Sequence, residues 1–201
     1  MKVLIAGATG HTGQRVVRQL QDEGHSPVAL VRESSDTSVL PDDCETRQGD
    51  LADLPQDACK GMDAVIFAAG SGSSTGPDMT DTIDRDGAIA LVDAAQAAGV
   101  NKFVMLSSIG ADDPDPDSDL HHYLKAKHDA DVHLVESELA YSIIRPVSLT
   151  QEDGHRRIRL GEEVEKSGKA HRGDVAAVLV RALEDPALEN RAFDMDSVPE
   201  E

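Results

Sequence analysis

Short, mainly apolar runs alternate along the chain with segments of helical spacing. Residues 2–6, 27–31, 64–69, 102–107 and 140–145 are runs of this kind with little polar alternation. That is the pattern of strands buried on both faces of a parallel sheet. A weaker strand is predicted at 44–48. Val16, Val17 and Leu20 give residues 11–23 one apolar face, and Gly24 is placed to end that helix. Further helices are predicted at 80–98, ended by Gly99, and at 119–137. The alternation predicts an α/β fold, a Rossmann-type doubly wound parallel sheet with helices on both faces. After Pro146 the rhythm loosens into a polar, turn-rich stretch with a strand at 156–160, a helix at 173–184 and a strand at 192–195. The prediction is one domain over 1–201, with 146–201 as a small lobe on the substrate side.

The first predicted strand runs straight into GATGHTG, with Gly7, Gly10 and Gly13 three residues apart. Gly7 suits a tight turn, Gly10 lets backbone approach a pyrophosphate, and Gly13 lets the helix pack closely on the sheet. The helix start aims N–H groups and the positive dipole end at phosphate. Thr9, His11 and Thr12 complete the loop. A strand before it and a helix after it are the context that marks a dinucleotide site. The end of the second strand selects the cofactor. An acidic residue there suits a ribose 2′-hydroxyl and an arginine suits a 2′-phosphate. The chain offers both, Arg32 then Glu33, and Arg32 favours NADP(H), with NAD as the alternative.

Tyr123 and Lys127 stand four residues apart in the predicted helix and share a face. A carbonyl that receives hydride must also receive a proton, which a tyrosine hydroxyl can donate while a nearby ammonium stabilises the phenolate. Ser107 or Ser108 closes the fifth strand and would hold the substrate oxygen, with Ser107 preferred by its place at the strand end.

These elements resemble the atypical short-chain dehydrogenase/reductases, the NAD(P)H-binding, NAD-dependent epimerase/dehydratase-like proteins. The matching stretches are GATGHTG, ALVRESS, GDLAD, AVIFAAG, KFVMLSSIGAD, YLKAKHDAD, YSIIRPVSLT and HRGDVAAVLVRALED, in order along nearly the whole chain. The resemblance implies that Asp50 and Leu51 lie against the adenine. It also implies that Lys127 reaches the nicotinamide ribose and that Pro146 and Val147 border the nicotinamide. Ala68, Ala69 and Gly70 fall at the carboxyl end of the fourth strand, where ligands lie in such sheets.

Composition narrows the partners. Asp plus Glu number 38 against 19 Lys plus Arg, a formal net charge of −19. That sign argues against nucleic acid and anionic membranes as partners, and an Asp-rich, Lys-poor surface resembles those of proteins from salt-loaded cytoplasms. No apolar run reaches the roughly 18 residues of a membrane span, and a cytoplasmic location is expected. Cys44 and Cys59 form neither a zinc nor a CxxC pattern. His121, His122 and His128 match no metal-ligand spacing, so no metal is expected. The substrate pocket is expected from loops 71–80, 111–122 and 147–170, and the assembly is expected to be a monomer or homodimer.

Three functions fit. The first is NADP(H)-dependent reduction of a small carbonyl, quinone or flavin-like acceptor, with Ser107, Tyr123 and Lys127 as the catalytic group. The second is a sugar-nucleotide epimerase or dehydratase, for which about 55 residues after Pro146 leave little room. The third is a non-catalytic NADP-sensing regulatory protein.

Overall fold

The computed structural model describes residues 1–71 and 76–199. Residues 72–75, part of one predicted pocket loop, lie outside them. Among the described residues, β1 (Lys2–Ala6), β2 (Ser26–Val31), β3 (Glu45–Gln48), β4 (Ala64–Phe67), β5 (Lys102–Leu106) and β6 (Ala140–Pro146) join in the order 3-2-1-4-5-6. All of these pairings are parallel. Two strands extend the sheet beyond β6. They are β10 (Arg191–Ser197), parallel to β6, and β8 (Ile158–Leu160), antiparallel to β10.

Because successive strand side chains point to opposite faces, the apolar runs feed two cores. Val3 and Ile5 face α1 (His11–Asp22) and α5 (Arg172–Arg181), packing with Val16, Val17, Leu20, Val175 and Leu179. Leu4 and Ala6 face the opposite side. There Phe67 and Phe103 pack with Leu91 and Val92 of α3 (Ala88–Ala97) and Leu134 of α4 (His121–Glu136).

Within the stretch after Pro146, β10 and β8 lengthen the sheet, and α5 covers it against α1. A small parallel pair, β7 (Leu149–Thr150) with β9 (Ala170–His171), stands apart from it. The partner of β10 is β6, about 50 residues earlier, so no local pattern marks the pairing. On the other side of β10, Arg159 of β8 is ion-paired to the fully buried Asp196 and ties these two strands together. The helix expected at 80–98 begins earlier, at α2 (Pro77–Met79). It is then wound as a π-helix over Thr80–Gly87 before continuing as α3. Such wide turns cluster at functional sites, and this one turns Thr80, Ile83, Asp84 and Gly87 inward.

Cys59 is fully buried, and burial pushes its thiol up to about 11, only partly opposed by Arg47. If α5 belongs to the main core, Leu179→Ala will cost about 2–5 kcal/mol. Urea unfolding followed by circular dichroism checks this, with a single transition for the whole chain.

Candidate cofactor cleft and catalytic site

The loop between β1 and α1 is closed to side chains and open to backbone contact. Gly7 ends β1 at φ 80°, and a Cβ there would sit 2.6 Å from the Ala69 backbone. A Cβ on Gly13 would lie 2.0 Å from the Gly7 carbonyl oxygen. Glycine at these two places lets the exits of β1 and β4 and the first turn of α1 meet. Gly10 precedes α1, and no side chain caps that helix. The N–H groups of its first turn are therefore left for an anion. Gly10 and His11 are exposed at the rim and Thr9 is half-buried. Thr12 is buried, its hydroxyl accepting from Arg172 Nη1 at 3.1 Å. This cradle, which a Cβ would fill, fits a dinucleotide pyrophosphate.

The neighbouring strand exits line up along the same edge of the sheet. Arg32 and Glu33 leave β2 exposed, and the Arg32 N–H donates to Ser35 Oγ at 3.0 Å. The Arg32 guanidinium has no ion-pair partner among the described residues. Asp50 accepts the Ala52 N–H at 3.0 Å, and Leu51 beside it is half-buried. Ala68 and Ala69 are half-buried beyond β4, and Gly70 is exposed.

The first two turns of α4 carry the acid–base candidates. Tyr123 is half-buried, and its hydroxyl has no hydrogen-bond partner among the described residues. The Lys127 ammonium lies 5.8 Å from the Tyr123 ring centroid and 5.7 Å from that of Phe67. Lys127 is 3% exposed. Its Nζ is ion-paired with Asp84 at 2.9 Å and donates to the Leu106 carbonyl at 3.4 Å. Burial alone would push this ammonium down, but Tyr123, Asp84 and Asp131 outweigh it and hold Lys127 above the usual lysine value. One turn further, Asp131 is buried. Burial raises its carboxyl above the ordinary range, against the pull of Arg145, Ser107 and Lys127.

Sequence reasoning missed both carboxylates. Asp131 carried a usable signal, since Tyr123, Lys127 and Asp131 recur every four residues on one helical face. Asp84 carried none, because its inward direction depends on the π-helical winding.

The two serines have different surroundings. Ser107, preferred from sequence for the substrate oxygen, is 4% exposed, and its hydroxyl donates to Asp131 Oδ2 at 2.9 Å. Asp131 Oδ2 also accepts Arg145 Nε at 3.0 Å. Ser108 is half-buried, its hydroxyl making one long contact of 3.4 Å to the Ile109 carbonyl. Both border a cavity of about 290 Å³ that also takes in Tyr123, Pro146 and Val147. Ile109, Leu120, Leu124 and Leu149 make up most of the remaining wall, and none of the lining residues is charged. A larger open groove of about 640 Å³ runs along α5 between Glu23, Arg156 and Arg181, and holds none of the candidate residues.

The histidines near the site act as tethers. His121 and His128 bond the Asp115 and Ala111 carbonyls of the acidic loop at 3.1 and 2.7 Å. His122 lies 3.2 Å from Asp81.

Fold and cleft together define a Rossmann protein that holds a nicotinamide dinucleotide. The chain belongs to the NAD(P)H-binding family, whose pattern matches residues 7–186, and the atypical short-chain dehydrogenase/reductase resemblance agrees with it. It is 40% identical to an uncharacterized sugar epimerase, YhfK, of Bacillus subtilis, over 97% of this chain and 94% of that one. It is 32% identical to an NAD(P)H azoreductase of Xenophilus azovorans, over 95% of this chain and 66% of that one. Among solved structures, the oxidoreductase ylbE of Lactococcus lactis superposes with a TM-score of 0.85 at 28% identity, covering 98% of this chain and 91% of that one. Among the described residues, no helix is long and apolar enough to cross a membrane.

Ser107→Ala will remove a donor from a buried carboxylate and cost about 1–3 kcal/mol. Ser108→Ala will stay within about 0.5 kcal/mol of the parent. Thermal unfolding of the two variants separates these roles.

Proposed function

We propose that the protein is an NADP(H)-dependent oxidoreductase that reduces a small, neutral acceptor, with Tyr123 as proton donor. The observation that carries this reading is the placement of Tyr123 beside the buried Lys127 ammonium, at the wall of a cavity bordered by the exits of β5 and β6. In a parallel sheet of this order, that edge continues through β4 to the glycine loop after β1.

When bound, the nicotinamide supplies the hydride. The chain's own residues do the rest. The Tyr123 hydroxyl delivers a proton to the acceptor oxygen, and Lys127 offsets the charge left on the phenolate. Ser108 serves as the hydroxyl that orients the acceptor, while Ser107 is engaged with Asp131. Gly7, Thr9, Gly10, His11, Thr12 and Gly13 hold the pyrophosphate. Arg32, exposed and without an ion-pair partner among the described residues, takes the 2′-phosphate of NADP. Asp50 and Leu51 border the adenine, and Ala68, Ala69, Gly70, Pro146 and Val147 border the nicotinamide half. The azoreductase and oxidoreductase relatives support this reading.

The sugar epimerase named among the relatives suggests a nucleotide-sugar substrate instead. Two observations favour the reductase. The cavity wall carries no charged group to meet a diphosphate, and most of the chain after Pro146 is spent on sheet and α5.

Calorimetric titration with NADPH and NADH in high potassium chloride tests the cofactor. Arg32→Ala will weaken NADPH roughly 10- to 100-fold and leave NADH unchanged; equal loss of both would remove Arg32 from the 2′-phosphate. Tyr123→Phe will lower NADPH-linked reduction of small quinones and aldehydes by about 10²–10⁴ at unchanged NADPH affinity. Retained turnover would rule out Tyr123 as the proton donor.

A further inference from the structure

We propose that Asp84 is the positioning residue of this site, the buried counter-ion that fixes Lys127 beside Tyr123. The inference deepens the oxidoreductase reading and rests on it for its catalytic meaning, though not for its geometry.

Asp84 is fully buried on the π-helical segment, and its Oδ1 lies 2.9 Å from Lys127 Nζ. Its other oxygen, Oδ2, accepts the Ser71 N–H at 3.0 Å. Gly70 leaves little space beside the carboxylate, since a Cβ there would stand 3.3 Å from Oδ1. The carboxylate is thus held by backbone on one side and meets the ammonium on the other. An ammonium has three donors and no acceptor. One side of Lys127 faces Asp84 and another the Leu106 carbonyl, and the Phe67 and Tyr123 rings lie 5.7 and 5.8 Å from the ammonium.

The titratable groups that face Lys127 come from two elements. Asp84 lies on the π-helical segment, and Tyr123 and Asp131 lie on α4 itself. Arg145 of β6 acts at one remove, because it is ion-paired to Asp131. Asp131 is therefore shared, accepting from both Arg145 and Ser107 on Oδ2. Asp84 is the only carboxylate within ion-pair distance of Lys127 among the described residues. A lysine this deeply buried sheds its proton unless an anion stays beside it. An uncharged amine would no longer offset the phenolate that proton donation leaves on Tyr123.

The test reads the lysine directly, without cofactor. The chain has seven lysines, so lysine-selective ¹³C labelling gives seven Cε signals, and Lys127→Arg assigns the one wanted. In the parent protein, Lys127 will stay protonated beyond the ordinary lysine range. In Asp84→Asn it will release its proton at lower pH, and the alkaline limb of NADPH-linked turnover, with 1,4-naphthoquinone as probe acceptor, will move the same way. A Lys127 signal that titrates in Asp84→Asn where it does in the parent overturns the proposal. If Asp84→Asn does not fold, the double variant Asp84→Asn/Lys127→Met will recover folding, because both halves of the pair are gone. A double variant that also fails to fold places the role of Asp84 elsewhere and overturns the proposal equally. Should Tyr123→Phe keep full turnover while Lys127 titrates as expected, Tyr123 falls as the proton donor and the ion pair stands.

Discussion

Everything at the cofactor end depends on how closely α1 approaches the exit of β1. The contact is between Gly13 and the Gly7 carbonyl, and any side chain at residue 13 would overlap that oxygen. Because the contact is backbone on backbone, it fixes where the first turn of α1 sits and where its N–H groups point. The same closure brings the β4 exit within reach, since Gly7 is bounded by Ala68 and Ala69. A phosphate site and the neck of the cleft therefore follow from one packing constraint. No charged side chain is needed to build the cradle, which suits a chain with twice as many acidic as basic residues.

The catalytic end is organised differently, by charge placed out of reach of water. Lys127 and Asp84 are both inside the protein, where an isolated ion is costly and a paired one is tolerated only when its partner is held in place. Backbone holds Asp84 through Ser71, and the Leu106 carbonyl helps hold Lys127. The second buried acid, Asp131, is spent on β6 and β5 through Arg145 and Ser107. Ser107 thereby becomes part of the frame that anchors α4 to the sheet. Ser108, one residue on, is left at the cavity. A single step along the chain separates a hydroxyl engaged by a buried carboxylate from one that makes only a long contact to the Ile109 carbonyl.

That step shows why the sequence was legible in some places and not in others. The central strands and α1, α4 and α5 were readable because each carries a periodic signal within its own length. The glycine loop was readable because backbone sterics dictate its residues. Tyr123 and Lys127 share a helical face by spacing alone. The place of β10 beside β6 was not readable, because it is a pairing between distant segments with no local mark. The engagement of Ser107 was not readable either, because its partner, Asp131, is 24 residues away. Asp84 was hidden by the π-helical stretch, where the ordinary helical period fails to say which side chains turn inward.

The charge distribution ties the two ends together. A net charge of −19 repels a polyanionic dinucleotide at long range, yet that repulsion is screened beyond about 10 Å at 0.1 M salt. At the strand exits the surface is different: the uncapped start of α1 and the exposed Arg32. The cavity beyond offers hydroxyls and apolar walls with no charge of either sign. An acidic chain thus presents at this edge of the sheet an uncapped helix start and a cavity wall without a charged side chain.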